Sequence, residues 1–312
     1  DYLQTQNTSR IQSKDLKWKF PKRYLLDKKW AINTLPKRPL NSHKGTSGTT
    51  LIIGGSVNYP GAVFFAGSSA TKTGVGLVGL MIPEKIYHIL AKKIPDIIFF
   101  PSTESKNNIS SMDFSQFNSI AIGPGLGTEK QTKAFTIEIL DNLSETRFSQ
   151  IQKILDADAL NHISTLSVWW EKIPSGCILT PHFGEMSRLT KIPIKEIQKN
   201  KVEITQECSS RWNHIIVLKG SNTIISHPNG ELRISPWANS GMAKGGTGDL
   251  LTGIISGLSA HTKLDPFEAA SLGVYVHGLS GDLATKSEGV YGMTSTTVLE
   301  KIPEAFTKIS IH

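Results

Sequence analysis

Five short apolar runs, none alternating with polar residues, punctuate this chain, and each stops at residues that end strands. Leu51-Ile52-Ile53 runs into Gly54-Gly55, Ile120-Ala121-Ile122 into Gly123-Pro124-Gly125, and Ile154-Leu155 into Asp156. Ile178-Leu179 precedes Thr180-Pro181, and Ile215-Ile216-Val217-Leu218 precedes Lys219-Gly220. A strand with one face in water alternates; an unbroken run means cover on both faces, the habit of parallel sheets. Helical patterns fill the intervals, at about 61–73, 84–93, 129–140, 184–190, 194–210, 247–260 and 265–286. Strand–loop–helix alternation on this scale predicts α/β architecture with a mostly parallel central sheet and helices on both faces. Thr223–Ser226 and Leu232–Ser235 flank Pro228-Asn229-Gly230, a hairpin that suits an open mixed sheet better than a closed barrel. In such sheets ligands bind beyond the carboxyl ends of the strands, where these special residues fall.

Composition removes other classes. At 38% hydrophobic and 19% charged residues the chain is neither disordered, collagenous nor a coiled coil. The formal charge of +8 raises nucleic acid as a partner, but its distribution argues against that. Eleven Lys/Arg and three acids lie in residues 1–44, so the whole surplus belongs to that stretch and the remainder is neutral by count. Three prolines (Pro21, Pro36, Pro39) and little periodicity make residues 1–44 read as a basic arm or linker with a short helix near 25–32. Two cysteines cannot form a disulfide framework. No stretch nears the roughly 18 apolar residues of a membrane span, and no secretory h-region opens the chain. A cytoplasmic protein without nucleic-acid or membrane partners is the expectation. The chain starts at Asp1 rather than Met, which suits a processed form or a part of something longer.

One segment carries the strongest chemical signal, Gly241-Met242-Ala243-Lys244-Gly245-Gly246-Thr247-Gly248-Asp249. Its glycines let backbone N–H groups turn toward an anion, and a helix starting near Thr247 adds its dipole. Asp249, one residue past that cradle, suits removal of a proton from an attacking hydroxyl; a tight turn followed by an ordinary first-turn acid reads about as well. Asp156 and Asp158 follow a strand and could meet a metal or a hydroxyl, or one of Asp158 and Asn161 could simply cap the next helix. His182 could be a ligand hand or proton carrier, or a structural loop histidine. Lys219-Gly220-Ser221-Asn222-Thr223 suits phosphate or ribose contacts, or a polar turn. No Walker A loop occurs, and Gly123-x-Gly125-x-Gly127 misses the dinucleotide fingerprint by one residue. Clustered Cys/His ligands are absent, so no zinc site is expected.

The motifs in order are more specific than any alone. Asn41-Ser42-His43-Lys44-Gly45, Gly54-Gly55-Ser56, Gly61-Ala62, Gly74-x-Gly76-Leu77-Val78 and Gly123-Pro124-Gly125-Leu126-Gly127 come first. Asp156-Ala157-Asp158-Ala159-Leu160, Thr180-Pro181-His182-x-Gly184-Glu185, Val217-Leu218-Lys219-Gly220, the Gly-Gly-Thr-Gly-Asp loop and Gly273-Val274-Tyr275-x-His277-Gly278 follow. Over about residues 36–305 this set resembles the ADP/ATP-dependent NAD(P)H-hydrate dehydratase family, whose fold is ribokinase-like. The resemblance makes 45–312 the catalytic domain. It implies repair of the S epimer of hydrated NADH or NADPH, by phosphorylation of the ring hydroxyl and loss of phosphate. Hydroxide leaves poorly and phosphate well, so the detour is chemically sensible.

The resemblance also implies roles. Asp249 would be the base, with backbone N–H groups of Gly245, Gly246, Thr247 and Gly248 holding the transferred phosphoryl group. Lys219, Gly220, Ser221, Asn222, Thr223 and Gly248 would contact ADP or ATP, with ADP slightly favoured and Mg²⁺ accompanying the phosphates. Ala62, Gly125, Gly127, Asp156, Asn161, His182 and Asp249 would contact the hydrated dinucleotide. No protein ligand for the metal is evident. A homo-oligomer, such as a tetramer, is implied, and so is an epimerase domain or partner that 44 residues cannot encode. Departures from the family pattern are Val75, Phe183 and the Ala238-Asn239-Ser240 lead-in to Gly241; Phe183 would reshape the substrate side. Two alternatives stay open: a vitamin-precursor hydroxymethyl kinase of the same fold, and a catalytically silent nucleotide-binding protein.

Overall fold

The computed structural model describes residues 23–38, 41, 44–102, 113–261 and 264–310. Ten strands form one sheet: β1 (Arg23–Leu25), β2 (Thr49–Ile53), β3 (Leu77–Pro83), β4 (Ile98–Ser102), β5 (Ser119–Ile122), β6 (Gln152–Leu155), β7 (Ile178–Leu179), β8 (Ile215–Leu218), β9 (Ile224–Ser226) and β10 (Leu232–Ile234). Their order is β1-β10-β9-β8-β7-β6-β5-β2-β3-β4. Among the described residues only the β8/β9 and β9/β10 pairs are antiparallel. The expected hairpin is there, and the five apolar runs lie in β2, β5, β6, β7 and β8.

Successive strand residues feed opposite cores because strand side chains alternate faces. Ile52, Ala121, Ile154, Ile178 and Val217 pack on one side; Leu51, Ile53, Ile122, Leu155, Leu179 and Leu218 pack on the other. The first side is covered by α1 (Lys28–Thr34), α2 (Pro60–Thr71), α3 (Glu84–Ala91), α9 (Thr247–Ser259), α10 (Pro266–Gly292) and α11 (Ser295–Ile309). The second is covered by α4 (Lys130–Leu143), α5 (Ala157–Ile163), α6 (Phe183–Thr190), α7 (Ile194–Lys199) and α8 (Lys201–Trp212).

Several elements differ from the sequence reading. The helix expected over 194–210 is two, broken at Asn200, whose φ of −121° and ψ of 36° leave the helical region. α10 runs past 286 to Gly292, with a left-handed break at Gly289. β1, β3, β4 and α11 were not expected, and α5 starts behind Asp156, so Asp158 and Asn161 lie inside that helix and do not cap it. β3 hides behind the glycines that precede it, and α11 carries an interior Pro303. Part of the basic segment is structural: β1 pairs in parallel with β10, and Leu26 and Ala31 are buried in the core. Asp27 caps α1 by accepting the Trp30 N–H at 2.7 Å. The expected helix is thus present, about three residues later than predicted. Ser42 and His43 of the first motif, and residues 1–22 of the arm, lie outside the described residues. No helix among the described residues is long and apolar enough to cross a membrane.

Candidate active site

The chain reverses its direction of winding between β2 and β5: β3 and β4 extend to one side and β5 to β8 to the other. Such a switch point opens a crevice at the strands' carboxyl ends. Here it is walled by glycine. Gly123 sits at φ +131°, and a Cβ there would stand 1.8 Å from the Asp156 carbonyl oxygen, so no side chain fits. The Gly55 N–H donates to the Pro124 carbonyl at 2.7 Å, closing the two loops on each other. Gly125 faces Ala62 at the start of α2 so closely that an added Cβ would lie 2.8 Å from the alanine's. The Gly127 N–H donates to Asp158 Oδ2 at 2.8 Å, while Asn161 bridges Asp158 (3.2 Å) and Arg188 (3.1 Å). Ala62, Gly125, Gly127 and Asn161 therefore share one rim.

At the centre stands an ion-pair network across three strand ends and one helix. Asp156 is 1% exposed. Its Oδ1 accepts from Lys219 Nζ at 2.6 Å and Thr180 Oγ1 at 2.7 Å, and its Oδ2 from Thr252 Oγ1 at 2.6 Å. Burial pushes the Asp156 carboxyl up, but the ammonium and the two hydroxyls outweigh it and hold it below the usual carboxylate range. Burial likewise pulls Lys219 down, and the carboxylates of Asp156 and Glu185 more than restore it, so it stays charged. The ammonium lies 3.8 Å from Glu185 Oε2, and 3.5 Å from where a Cβ on Gly248 would be. One cation thus faces Asp156, Glu185 and Asp249. Asp156 takes it closely; burial and the Asp156 charge raise both Asp249 and Glu185 to about 7.

His182 caps α6. Its Nδ1 accepts the N–H groups of Gly184 (2.9 Å) and Glu185 (3.3 Å), and the His182 backbone N–H donates to Glu185 Oε2 at 2.8 Å. With Nδ1 committed as an acceptor, the neutral ring carries its proton on Nε2. Burial, Lys219 and Arg188 also disfavour its charged form. Its Nε2 lies 3.3 Å from Glu185 Oε1.

The glycine loop starts α9. Gly246 holds φ +94°, and a Cβ there would meet the Phe65 ring at 2.8 Å. Thr247 Oγ1 donates to the Met242 and Lys244 carbonyls at 2.8 and 2.9 Å, Ser295 Oγ to the Gly245 carbonyl at 2.7 Å, and Lys244 Nζ to the Tyr291 and Met293 carbonyls. His277 Nε2 meets the Thr247 carbonyl at 2.8 Å, and burial holds this imidazole down to about 4, neutral and donating. These bonds spend the loop's carbonyls inward. Among the described residues the N–H groups of Gly245, Gly246, Gly248 and Asp249 have no protein acceptor and can meet an anion, whereas the Thr247 N–H, expected to join them, turns to the Lys244 carbonyl at 3.4 Å as the helix starts.

Beside this loop lies a cleft of about 470 Å³, lined by Lys219, Gly220, Ser221, Thr223, Thr247 and Gly248 on one side and Trp237, Met242, Val274 and Gly278 on the other. Asn222 is not part of its lining. It sits at φ +56° with its N–H on the Trp237 carbonyl (3.1 Å) and its side chain on the Ser235 carbonyl (3.0 Å), which fixes the turn instead. The structure thus gathers the expected residues in two groups that meet at Asp249, whose carboxyl feels Asp156, Lys219 and Asp158 together.

A family model described as NAD(P)H-hydrate dehydratase matches residues 50–304. The chain belongs to the NAD(P)H-hydrate dehydratase family. An ADP-dependent (S)-NAD(P)H-hydrate dehydratase of Bacillus subtilis is 33% identical over 276 residues, 88% of this chain and 95% of that protein. A bifunctional NAD(P)H-hydrate repair enzyme of Moorella thermoacetica is 36% identical over 289 residues, 90% of this chain but 53% of that protein. The chain spans about half the length of such bifunctional relatives. Among solved structures, the B. subtilis ADP/ATP-dependent dehydratase, co-crystallized with ATP/Mg²⁺, superposes with a TM-score of 0.81 at 31% identity, covering 92% of this chain and 99% of that one. The fold is ribokinase-like.

Sequence reasoning gave no role in the candidate site to Thr180, Glu185 and His277, although its motifs contain them, and did not single out Thr252. Thr252 had a signal: it stands one helical turn beyond Gly248, so both share a face of α9. Glu185 stands three residues after His182, the spacing of a capping box.

Proposed function

We propose that this chain dehydrates the S epimer of hydrated NADH or NADPH at the expense of ADP or ATP. The observation that carries this reading is Asp249: a carboxyl raised to about 7 at the helix start where the nucleotide-sized cleft meets the glycine-walled crevice. Family membership supplies the substrate class.

In this reading the nucleotide occupies the cleft along Lys219, Gly220, Ser221 and Thr223, with its phosphates directed at the free N–H groups of Gly246, Gly248 and Asp249. The hydrated ring lies in the crevice beside Ala62, Gly125 and Gly127. Asp249 takes the proton of the ring hydroxyl as its oxygen bonds to the terminal phosphorus and the bridging P–O bond of the donor breaks. Lys219, held against Asp156, keeps a positive charge at the loop where phosphoryl charge gathers. The C–O bond to phosphate then breaks and the adjacent carbon loses a proton, giving the reduced dinucleotide, inorganic phosphate and the shortened nucleotide. His182, paired through Nε2 with Glu185 at 3.3 Å, stands on the substrate side as the resemblance implies.

No group of three or more His, Cys, Asp or Glu among the described residues could cage a metal. Mg²⁺ in this reading comes with the nucleotide, on its phosphate oxygens and waters. Bound there, it would neutralise phosphate charge. In this reading ADP is the slightly favoured donor, the assembly is a homo-oligomer such as a tetramer, and an epimerase domain or partner supplies the S epimer.

Recovery of absorbance at the reduced-nicotinamide band, on adding hydrated NADH with ADP or ATP, tests the activity. Asp249→Asn is expected to lower turnover at least about 100-fold, the usual scale of a lost general base, with nucleotide binding retained. Undiminished turnover in that variant would sink the assignment.

A further inference from the structure

We infer that Trp30, on α1 ahead of the residues matched by the family model, is a positioning residue for the nucleotide, propping the aromatic wall of the cleft through Tyr275. The inference rests on reading the cleft as the nucleotide site.

Trp237 forms that wall from a loop between β10 and the short 3-10 turn Ser240–Met242, with its indole so close to Gly278 of α10 that a Cβ there would stand 2.6 Å from the ring. Its ring is met edge-on by Tyr275 of α10, with centroids 4.5 Å apart and planes at 71°. Tyr275 is met in turn by Trp30, at 6.5 Å and 62°. Both are edge-to-face geometries, in which the positive rim of one ring meets the negative face of the next. The three rings make a row from α1 through α10 to the cleft.

The far end of the row is firmly seated. The Arg233 guanidinium lies 5.1 Å from the Trp30 ring centroid and 4.3 Å from that of Phe267. Arg233 is gripped by Glu268 at 2.7 and 2.9 Å and by Glu231 at 3.0 Å. Leu26 donates its N–H to the Ile234 carbonyl at 2.9 Å, and Tyr24 stands in register with Arg233. The strand that holds Arg233 is the one whose end leads to Trp237. A basic-looking N-terminal segment thus braces the cleft from behind, without touching the nucleotide.

The test uses the full chain with Trp30→Ala, Trp30→Phe and Trp237→Ala. ADP binding is read by titration calorimetry, and kcat and both KM values by turnover. Trp30→Ala is expected to weaken ADP binding and raise the nucleotide KM about 3- to 10-fold, the scale of one aromatic pair. The kcat and the KM for hydrated NADH should stay within about twofold, and Trp30→Phe should restore ADP binding. Trp237→Ala should reproduce the nucleotide defect. Unchanged ADP binding in Trp30→Ala alongside weakened binding in Trp237→Ala overturns the brace while leaving the cleft reading intact. Unchanged binding in both variants overturns the cleft reading itself. A joint shift of kcat and both KM values means general loosening and also overturns the brace. Should Trp30→Ala not fold, Trp30→Leu, which keeps apolar volume without a ring edge, gives the same readout.

Discussion

At the scale of single residues, the site is a charge problem with one solution. Three carboxyls surround Lys219, and only Asp156 approaches within hydrogen-bonding distance. Asp249 and Glu185 are left in a desolvated place next to a fixed negative charge, and both hold their protons up to about 7. For a base this is useful, since Asp249 is strong enough to take a proton and still ionised in part at neutral pH. The free enzyme's kcat/KM is expected to climb about tenfold per pH unit below an ionisation near 7 and to level above it, as a pH–rate profile would show. A profile flat down to pH 5 would contradict the assignment. Stability runs the other way: the folded Asp249 binds its proton more tightly than the ordinary 3.8, so its contribution is present below about 4 and is lost as pH rises through about 7.

At the scale of elements, α9 and its glycine loop do the anion-binding work. Gly246 combines a left-handed backbone with contact on Phe65 and Ser295, so neither the twist nor the space admits a side chain. Gly246→Ala is expected to cost about 10- to 100-fold in turnover, with a raised nucleotide KM, as the N–H groups lose their common aim. Steady-state kinetics with either nucleotide would check it; wild-type values would mean that the loop holds no phosphoryl group. Elements were legible where one local rule sufficed. The five apolar runs gave five strands because burial on both faces writes itself into the sequence as unbroken hydrophobicity. β1, three residues long, has no such pattern: it exists because β10 offers an edge. The break at Asn200 was equally hidden, since α7 and α8 both keep helical composition on either side of it.

At the scale of the whole molecule, Asp156 ties the ends of β6, β7 and β8 to α9 across the sheet. Its partners come from Thr180, Lys219 and Thr252, up to 96 residues away in sequence. Asp156→Asn would remove the nearest counter-charge of the partly buried Lys219 ammonium and weaken the charged hydrogen bond between them, at a cost of about 1.5–3 kcal/mol. Urea unfolding should report that loss, and replacing Lys219 by Met in the same variant should recover part of it. Equal midpoints for wild type and Asp156→Asn would show that the pair does not carry the fold.

The sequence by itself determined the doubly covered parallel sheet, the glycine loop with Asp249, and the ordered motifs that mark the family. Each is a local pattern: a run, a turn, a helix start. Only the tertiary structure decided what the patterns do to one another. It made Asp156 a buried partner of Lys219, His182 a helix cap with its proton on Nε2, and Asn222 a turn-former outside the cleft. It also seated residues 23–35 of the basic segment against the sheet and α10. The physical reason is the same in each case: desolvation, charge neighbours and ring contacts depend on residues distant in sequence, and no local spacing records them.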